Sequence, residues 1–161
     1  MPLLLAFFLF CIACNDTESK STLMDFDIPL KSINSEKPFS EFNNKLLMIY
    51  YMSPLCPHCQ EGYGDTQQIA NKYEPKGLAS IVIALGNKND ILKFIEEYEA
   101  SMPFFQDSES AFIKKYGDNY VPKHYLVYPN GKTILYQNSE DEIKKMVSDI
   151  EKFLSKYPTQ K

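Results

Sequence analysis

The chain has 161 residues, of which 44% are hydrophobic and 24% are charged, and its formal net charge is -4. This length and apolar content suit one globular domain with a sizeable core. Lysine supplies all 17 basic residues, and the charges are spread along the chain. The sequence therefore lacks the clustered basic face that nucleic-acid binding requires, and we expect no nucleic-acid partner. The lack of arginine excludes bidentate guanidinium chemistry from every candidate mechanism.

The N-terminal segment is almost wholly apolar over residues 1–14 and becomes polar over residues 15–22. The apolar run is shorter than the roughly 20 residues that span a bilayer, but it is typical of the core of a secretory signal. We therefore predict a signal peptide at residues 1–13, a linker at residues 14–22 and one folded domain at residues 23–161.

The end of the apolar run, Ile12-Ala13-Cys14, resembles the end of a bacterial lipobox. In that motif the cysteine is lipidated and becomes the first residue of the mature protein. The resemblance implies that lipid on Cys14 anchors the protein to a membrane of the bacterial cell envelope, on the periplasmic side. An ordinary cleaved signal and an uncleaved N-terminal anchor are the alternatives. Cys11 and Cys14 share a Cys-x-x-Cys spacing, but they lie inside the signal, where we expect no folded domain.

The remaining chain alternates between apolar runs and amphipathic segments. These patterns predict strands at residues 24–30, 46–52, 79–85, 103–105, 121–128 and 132–136, with a hairpin turn at residues 129–131. They predict helices at residues 38–42 and 56–73, from Asn89 or Asp90 to Tyr98, from Asp107 or Ser108 to Gly117, and from a capping Ser139 onward. Gly62 and Gly64 are expected to loosen or bend the helix at residues 56–73. The order of elements predicts a three-layer α/β/α fold with a central mixed sheet.

The most informative motif is Cys56-Pro57-His58-Cys59, which directly follows the predicted strand at residues 46–52. Cys56 would lie at a helix N-terminus, where free N–H groups and the helix dipole favour the reactive thiolate. Cys59, one turn later, is near enough to close a disulfide. Such a pair can exchange two electrons with another disulfide. We therefore predict that Cys56 is the attacking nucleophile and Cys59 the resolving thiol.

A structural zinc site and a static disulfide are the alternatives to a redox-active pair. Zinc sites usually show a second pair of ligands at a fixed spacing, and this chain has only His58 and His124 beyond its cysteines. A disulfide across two intervening residues closes too short a loop to constrain the unfolded chain much. We expect neither a metal nor another cofactor, and we expect His124 to lie in the core or at the sheet edge.

The Cys-x-x-Cys motif, the later Val121-Pro122 pair and the Asn-Gly hairpin together resemble the thioredoxin fold. Within that fold, residues 24–156 resemble the TlpA/ResA-like thiol-disulfide oxidoreductases of bacterial envelopes. The resemblance implies a cis peptide bond between Val121 and Pro122, packed beside the cysteine pair, and a substrate strand that pairs with the backbone near Val121. It also implies protein dithiols or disulfides as substrates and a membrane redox partner.

Several positions depart from that family. Leu55 precedes the first cysteine, where a tryptophan is usual, and Gly64 replaces a helix proline. Tyr50 stands where many relatives carry a buried acid that relays protons, and a phenol is a poor base at neutral pH. The dipeptide Pro57-His58 resembles that of DsbA-like oxidants. A histidine there can stabilise the Cys56 thiolate, which makes the disulfide more oxidising.

Two further functions remain open at this stage. A copper chaperone is conceivable because soft ligands suited to Cu(I) are present at Met52, Cys56, His58, Cys59 and His124. A thiol peroxidase is suggested by Ser53-x-x-Cys56, which matches half of the peroxiredoxin motif. Ile49 stands where that motif has proline, however, and the arginine that such a site uses is missing.

Overall fold

The computed structural model describes residues 22–117 and 120–158. Helices in this part of the chain are α1 Pro57–Tyr73, α2 Lys88–Glu97, α3 Ala111–Tyr116 and α4 Glu140–Lys156. Strands are β1 Thr22–Leu23, β2 Lys31–Ser32, β3 Leu46–Met52, β4 Leu78–Ala84, β5 Phe104–Gln106, β6 Lys123–Val127 and β7 Lys132–Gln137. The predicted signal peptide and Cys14 lie outside the described residues.

The described strands form one mixed sheet in the order β1-β7-β6-β3-β4-β5-β2. β3, β4 and β5 run parallel, whereas β6 pairs antiparallel with β3 and with β7. The outermost strands, β1 and β2, also pair antiparallel with their neighbours. The β6–β7 hairpin turns at Gly131, whose φ of 83° suits a residue without a side chain. The predicted mixed sheet is therefore confirmed.

The central strand β3 divides the core into two halves, because every one of its side chains is buried. Met48 and Tyr50 face one half, where they pack with α1, α2 and α4. Ile49 and Tyr51 face the other half, where they pack with α3 and the short 3₁₀ turn Phe39–Phe42. Helices thus cover both faces of the sheet, as the three-layer α/β/α prediction requires.

The prediction of a single strand at residues 24–30 is wrong. The chain pairs briefly as β1, leaves the sheet, and pairs again as β2 on the opposite edge. Between them Met24 and Ile28 are buried in the second core half, which explains the weak apolar alternation without strand pairing. The Asp25 side chain accepts a hydrogen bond from the backbone N–H of Asp27 at 2.9 Å, a local turn that competes with extended structure.

Two predicted helix starts are also wrong. The N-cap of α2 is Asn87, whose side chain accepts a bond from the Asp90 N–H at 2.9 Å. α3 begins only at Ala111, after a turn. The buried Asp107 carboxylate nevertheless accepts bonds from two N–H groups of that helix, Phe112 at 3.3 Å and Ile113 at 3.4 Å. Asp107 therefore satisfies the helix end from a distance, which a local capping pattern does not reveal. The predicted N-cap at Ser139 is confirmed.

His124 lies in the core, in line with the expectation from its place on a packed strand. It sits on β6 directly opposite Tyr50 of β3, with the two ring centroids 4.8 Å apart. His124 is only 1% exposed. Burial disfavours the charged imidazolium and lowers the pKa of His124 to about 3.

This burial predicts an acid sensitivity that originates at one residue. An unfolded histidine has a pKa near 6.5, so the unfolded chain binds more protons than the folded chain between about pH 3 and pH 6.5. The stabilising contribution is complete above pH 6.5 and falls as the pH drops. We expect the free energy of unfolding to lose about 2 kcal/mol from this residue between pH 7 and pH 5.

Urea unfolding at several pH values would measure the effect, with His124→Phe compared against the unmodified protein. The variant should lose less stability on acidification, because it has no buried imidazole to protonate. His58→Ala is the matched control, since His58 is exposed. Parallel pH profiles for His124→Phe and the unmodified protein would contradict the prediction.

Candidate active site

The junction between β3 and α1 positions the first cysteine of the motif. After Met52 the chain turns, and the Cys56 N–H donates to the Ser53 carbonyl at 3.1 Å. Cys56 is the N-cap of α1, with extended backbone angles, and Pro57 occupies the first helical position. Proline fits there because its missing N–H would have no helical partner and its φ is already helical. The sequence prediction of a cysteine at a helix N-terminus is confirmed.

The two cysteines have different surroundings. Cys56 is half-buried, whereas Cys59 is fully buried, and both are free thiols in this structure. The Ser53 N–H lies 3.5 Å from the Cys59 sulfur and favours its thiolate. Burial is the larger effect, followed by the hydrogen bond to Cys56, and together they raise the pKa of the Cys59 thiol well above its ordinary value. Cys59 is therefore held as a neutral thiol.

The residues predicted to form the substrate cleft lie beside Cys56. The Val121–Pro122 peptide bond is cis, as the family resemblance implied. The Cys56 sulfur is 3.9 Å from the Val121 carbonyl oxygen, although the two residues are 65 positions apart. Two large apolar side chains near this contact are exposed, Leu55 at 71% and Tyr120 at 76%. The structure thus brings the cysteine pair and the cis peptide bond into one accessible site.

His58 lies on the outer surface of α1. Its side chain is 81% exposed, and its Nδ1 is 3.3 Å from a carboxylate oxygen of Glu61, three residues later. The hydrogen-bond partner that the described structure gives this ring is therefore Glu61. An influence on Cys56 would have to act through space, across a short distance along the first helical turn, rather than through a direct bond to the sulfur.

Beneath Cys59, the structure places Tyr50. The Tyr50 hydroxyl donates a hydrogen bond to the Cys59 backbone carbonyl at 2.9 Å. Burial raises the pKa of Tyr50, and thiolate charge on Cys59 or Cys56, when either is ionised, raises it further. Tyr50 is therefore a neutral hydrogen-bond donor that fixes the backbone of Cys59, the predicted resolving cysteine, and it lies next to the pair as the family resemblance implied.

Gly62 and Thr66 were not identified as site residues from the sequence. α1 continues unbroken through Gly62, so the prediction that glycine loosens the helix is not supported by its secondary structure. A side-chain carbon at Gly62 would lie 3.1 Å from the Tyr50 hydroxyl and 3.3 Å from the Asn138 amide nitrogen. The residue is small because the tyrosine approaches here. The signal for both residues is their position, three and seven residues after Cys59, on the face of α1 that meets the sheet.

Within residues 22–117 and 120–158, no group of three or more His, Cys, Asp or Glu side chains is arranged to hold a metal ion. No helix of that part of the chain has both the length and the apolar character needed to cross a membrane.

Comparisons with known proteins agree with this geometry. The ResA thiol-disulfide oxidoreductase of Oceanobacillus iheyensis is 25% identical over 112 residues, which are 66% of this chain and 58% of that protein. The chain therefore spans a little over half the length of this curated relative.

Solved structures show the same fold at lower identity. A putative protein disulfide isomerase from Bacteroides thetaiotaomicron is 18% identical with a TM-score of 0.69, covering 84% of this chain and 92% of that one. The thioredoxin domain of a thiol-disulfide oxidoreductase from Bacteroides vulgatus is 18% identical with a TM-score of 0.67, covering 83% and 96%. The thioredoxin-like fold predicted from the sequence is confirmed.

The sequence also matches the AhpC/TSA family over residues 20–136, which is well over half of the chain. The match runs from β1 through the cysteine pair and the cis peptide bond into β7. The chain therefore belongs to the AhpC/TSA family.

Proposed function

We propose that the protein is a thiol-disulfide oxidoreductase of the bacterial cell envelope, with Cys56 as nucleophile and Cys59 as resolving thiol. One observation carries the proposal: a half-buried Cys56 thiol at the N-terminus of α1 lies 3.9 Å from the carbonyl that precedes a cis proline, with a buried Cys59 one turn later. The curated relative whose name includes this activity supports it.

The exchange proceeds in two balanced steps. The Cys56 thiolate attacks one sulfur of a substrate disulfide, the substrate S–S bond breaks, and the released substrate thiolate takes a proton. Cys59 then loses its proton and attacks the Cys56 sulfur, which breaks the mixed disulfide and releases the second substrate thiol. Two electrons pass to the substrate and a Cys56–Cys59 disulfide forms. The reverse sequence oxidises a substrate dithiol.

The different burial of the two cysteines gives the steps their order. Cys56 lies at the helix N-terminus, where the dipole and free N–H groups stabilise a thiolate. Cys59 is fully buried and its pKa is raised, so at neutral pH it remains protonated and does not compete for the substrate. Its attack is favoured only when a mixed disulfide is already present on Cys56, one turn away. The outer cysteine therefore selects the substrate and the inner cysteine releases it.

The substrate class follows from the surface around Cys56. Val121 and Pro122 lie beside the nucleophile, where an extended segment of a substrate could pair with the Val121 backbone. The exposed Leu55 and Tyr120 side chains offer apolar contact on either side. These features favour protein dithiols and disulfides over small hydrophilic thiols. The absence of arginine and the presence of Ile49 weigh against the thiol peroxidase alternative.

The different burial of the two cysteines predicts an order of reactivity. With the reduced protein, iodoacetamide should modify Cys56 before Cys59, because Cys59 is buried and protonated. Cys56→Ser should reduce disulfide exchange with a peptide substrate to the background rate. Cys59→Ser should instead accumulate a mixed disulfide, because the resolving thiol is missing. Preferential labelling of Cys59, or exchange by Cys56→Ser at the normal rate, would contradict the proposal.

His58 is proposed to make the pair oxidising by stabilising the Cys56 thiolate. His58→Ala should then shift the reduction potential to more negative values, by roughly 30 mV for each tenfold change in the equilibrium constant. Equilibrium with glutathione would measure the shift. Adding Glu61→Gln to His58→Ala is the control, since the Glu61 carboxylate contacts the His58 ring at 3.3 Å. It should add little, because the hydrogen-bond partner that the described structure gives this carboxylate is the His58 ring. A potential that is unchanged or more positive in His58→Ala would remove His58 from the mechanism.

Anchoring through Cys14 and a membrane redox partner complete the proposal. The apolar run at residues 1–13 and the Ile12-Ala13-Cys14 sequence support lipidation. The sheet already includes Thr22 and Leu23 as β1, which suits a folded domain that begins near residue 23. Mass spectrometry of the protein purified from a bacterial envelope should find a mature N-terminus at Cys14 with diacylglyceryl mass added. A chain that retains Met1, or a free unmodified N-terminus, would exclude the lipid anchor.

A further inference from the structure

The candidate active site is assembled from two elements that are distant in sequence. The cysteine pair lies at the start of α1, and the cis Val121–Pro122 bond lies directly before β6. A substrate strand held at Val121 must present its sulfur to Cys56, so the relative position of α1 and β6 controls the reaction. The 3.9 Å contact between the Cys56 sulfur and the Val121 oxygen is too weak and too long to fix that position.

A buried hydrogen bond joins α1 and β6 beneath the cysteine pair. His124, two residues after Pro122, has its Nε2 atom 2.9 Å from the Thr66 hydroxyl of α1. Both residues are 1% exposed. The Thr66 hydroxyl also donates to the Gly62 carbonyl at 2.9 Å. A hydroxyl has only one proton to give, so Thr66 accepts its second bond from the Nε2–H of His124.

This geometry fixes the tautomer of the imidazole. With the proton on Nε2, Nδ1 carries the lone pair, and within the described residues Nδ1 is buried without a hydrogen-bond partner. His124 therefore serves through one nitrogen only, as a donor to the helix that bears both cysteines. This single bond directs the His124 ring toward the Thr66 hydroxyl rather than toward bulk solvent or a charged group.

We propose that His124 and Thr66 are positioning residues for disulfide exchange, because their hydrogen bond fixes the cysteine helix against the strand that begins at the cis proline. The inference rests on the proposed function. The hydroxyl of Tyr50, whose ring packs on His124, holds the Cys59 carbonyl at 2.9 Å. Three side chains from α1, β3 and β6 thus define the floor of the site.

The residues opposite His124 on the neighbouring strands are neutral. Tyr50 and Tyr136 lie opposite it on the neighbouring strands β3 and β7. A cleft of about 280 Å³ between α1 and the start of α4 reaches the ring, and its charged lining groups are Asp65, Glu140 and Lys144. A hydrogen bond between two neutral groups constrains distance and direction, and it adds no charge that would disturb the cysteine pair.

Packing alone would hold the two elements together without fixing their register so closely. A buried polar pair can often be replaced by apolar side chains of similar shape at little cost in stability. The particular contribution of the bond between Thr66 and His124 is directional. The bond breaks when α1 slides or rotates by a fraction of the bond length. Displacements of about 1 Å can slow an enzyme reaction a hundredfold, so alignment rather than stability is the property to measure.

The test compares a reaction that needs both elements with one that needs only Cys56. Thr66→Val keeps the shape of the side chain and removes the hydroxyl. We expect exchange with a peptide disulfide to slow about tenfold through kcat, while alkylation of Cys56 by iodoacetamide stays within about twofold because it does not use Val121. Thr66→Ser retains the hydroxyl and should restore most of the exchange rate.

Thr133→Val is the matched control. Thr133 is buried in β7, and its hydroxyl bonds the Gly131 carbonyl at 3.0 Å, away from the site. The Thr133→Val variant should lose about as much stability as Thr66→Val and keep its exchange rate. If Thr66→Val does not fold, His124→Gln, which keeps a donor, and His124→Leu, which lacks one, give the same comparison.

Two results would overturn the inference. One is a normal exchange rate in Thr66→Val or His124→Leu. The other is an equal loss of peptide exchange and alkylation, which indicates general damage to the fold. Failure of the proposed function itself would look different, because Cys56→Ser would then exchange disulfides at the normal rate.

Discussion

The complete burial of β3 is the constraint on which the rest of the structure depends. It pairs with β4 on one side and with β6 on the other, and helices cover both of its faces. Because β3 is paired at both edges and covered on both faces, the position of its C-terminal end is fixed. Cys56 follows that end after a short turn. Because β6 pairs with the same strand, the cis peptide bond before it is placed relative to the same reference. The proposed nucleophile and the proposed substrate cleft are therefore both positioned relative to β3.

Desolvation favours the neutral form of every group described below the cysteine pair, although these groups differ in chemistry. It raises the pKa of Cys59 and of Tyr50, and it lowers the pKa of His124. All three are driven to their neutral forms, since a charge without water is costly. The site therefore has a neutral floor and a solvent-facing rim, at which Cys56 and His58 lie. In the proposed exchange, charge would develop at the rim, where the helix dipole and water can stabilise it.

Elements with local sequence signals are predicted correctly. Predictions fail where a contact between residues distant in sequence determines the local structure. β3, α1, the hairpin and the start of α4 follow from apolar runs, a proline at the first helical position, an Asn-Gly turn and a capping serine. The strand at residues 24–30 was wrong because burial beneath the sheet mimics strand alternation. The predicted start of α2 is wrong because Asn87, which lies before both predicted caps, accepts the capping bond from the Asp90 N–H. The predicted start of α3 is wrong because Asp107 satisfies that helix across a turn. The bond between Thr66 and His124 joins residues 58 positions apart, and no local pattern in either segment indicates it.

The two outermost strands limit how another chain can pair with the sheet. β1 and β2 are two residues long, and each covers part of the edge of a longer strand. Such short edges, one of them carrying Lys31, offer little backbone for another chain to pair with. Within residues 22–117 and 120–158, the sheet therefore offers only short edges to another extended chain. Under the proposed function, an extended substrate would meet the short stretch of backbone beside the Cys56 sulfur rather than a long sheet edge.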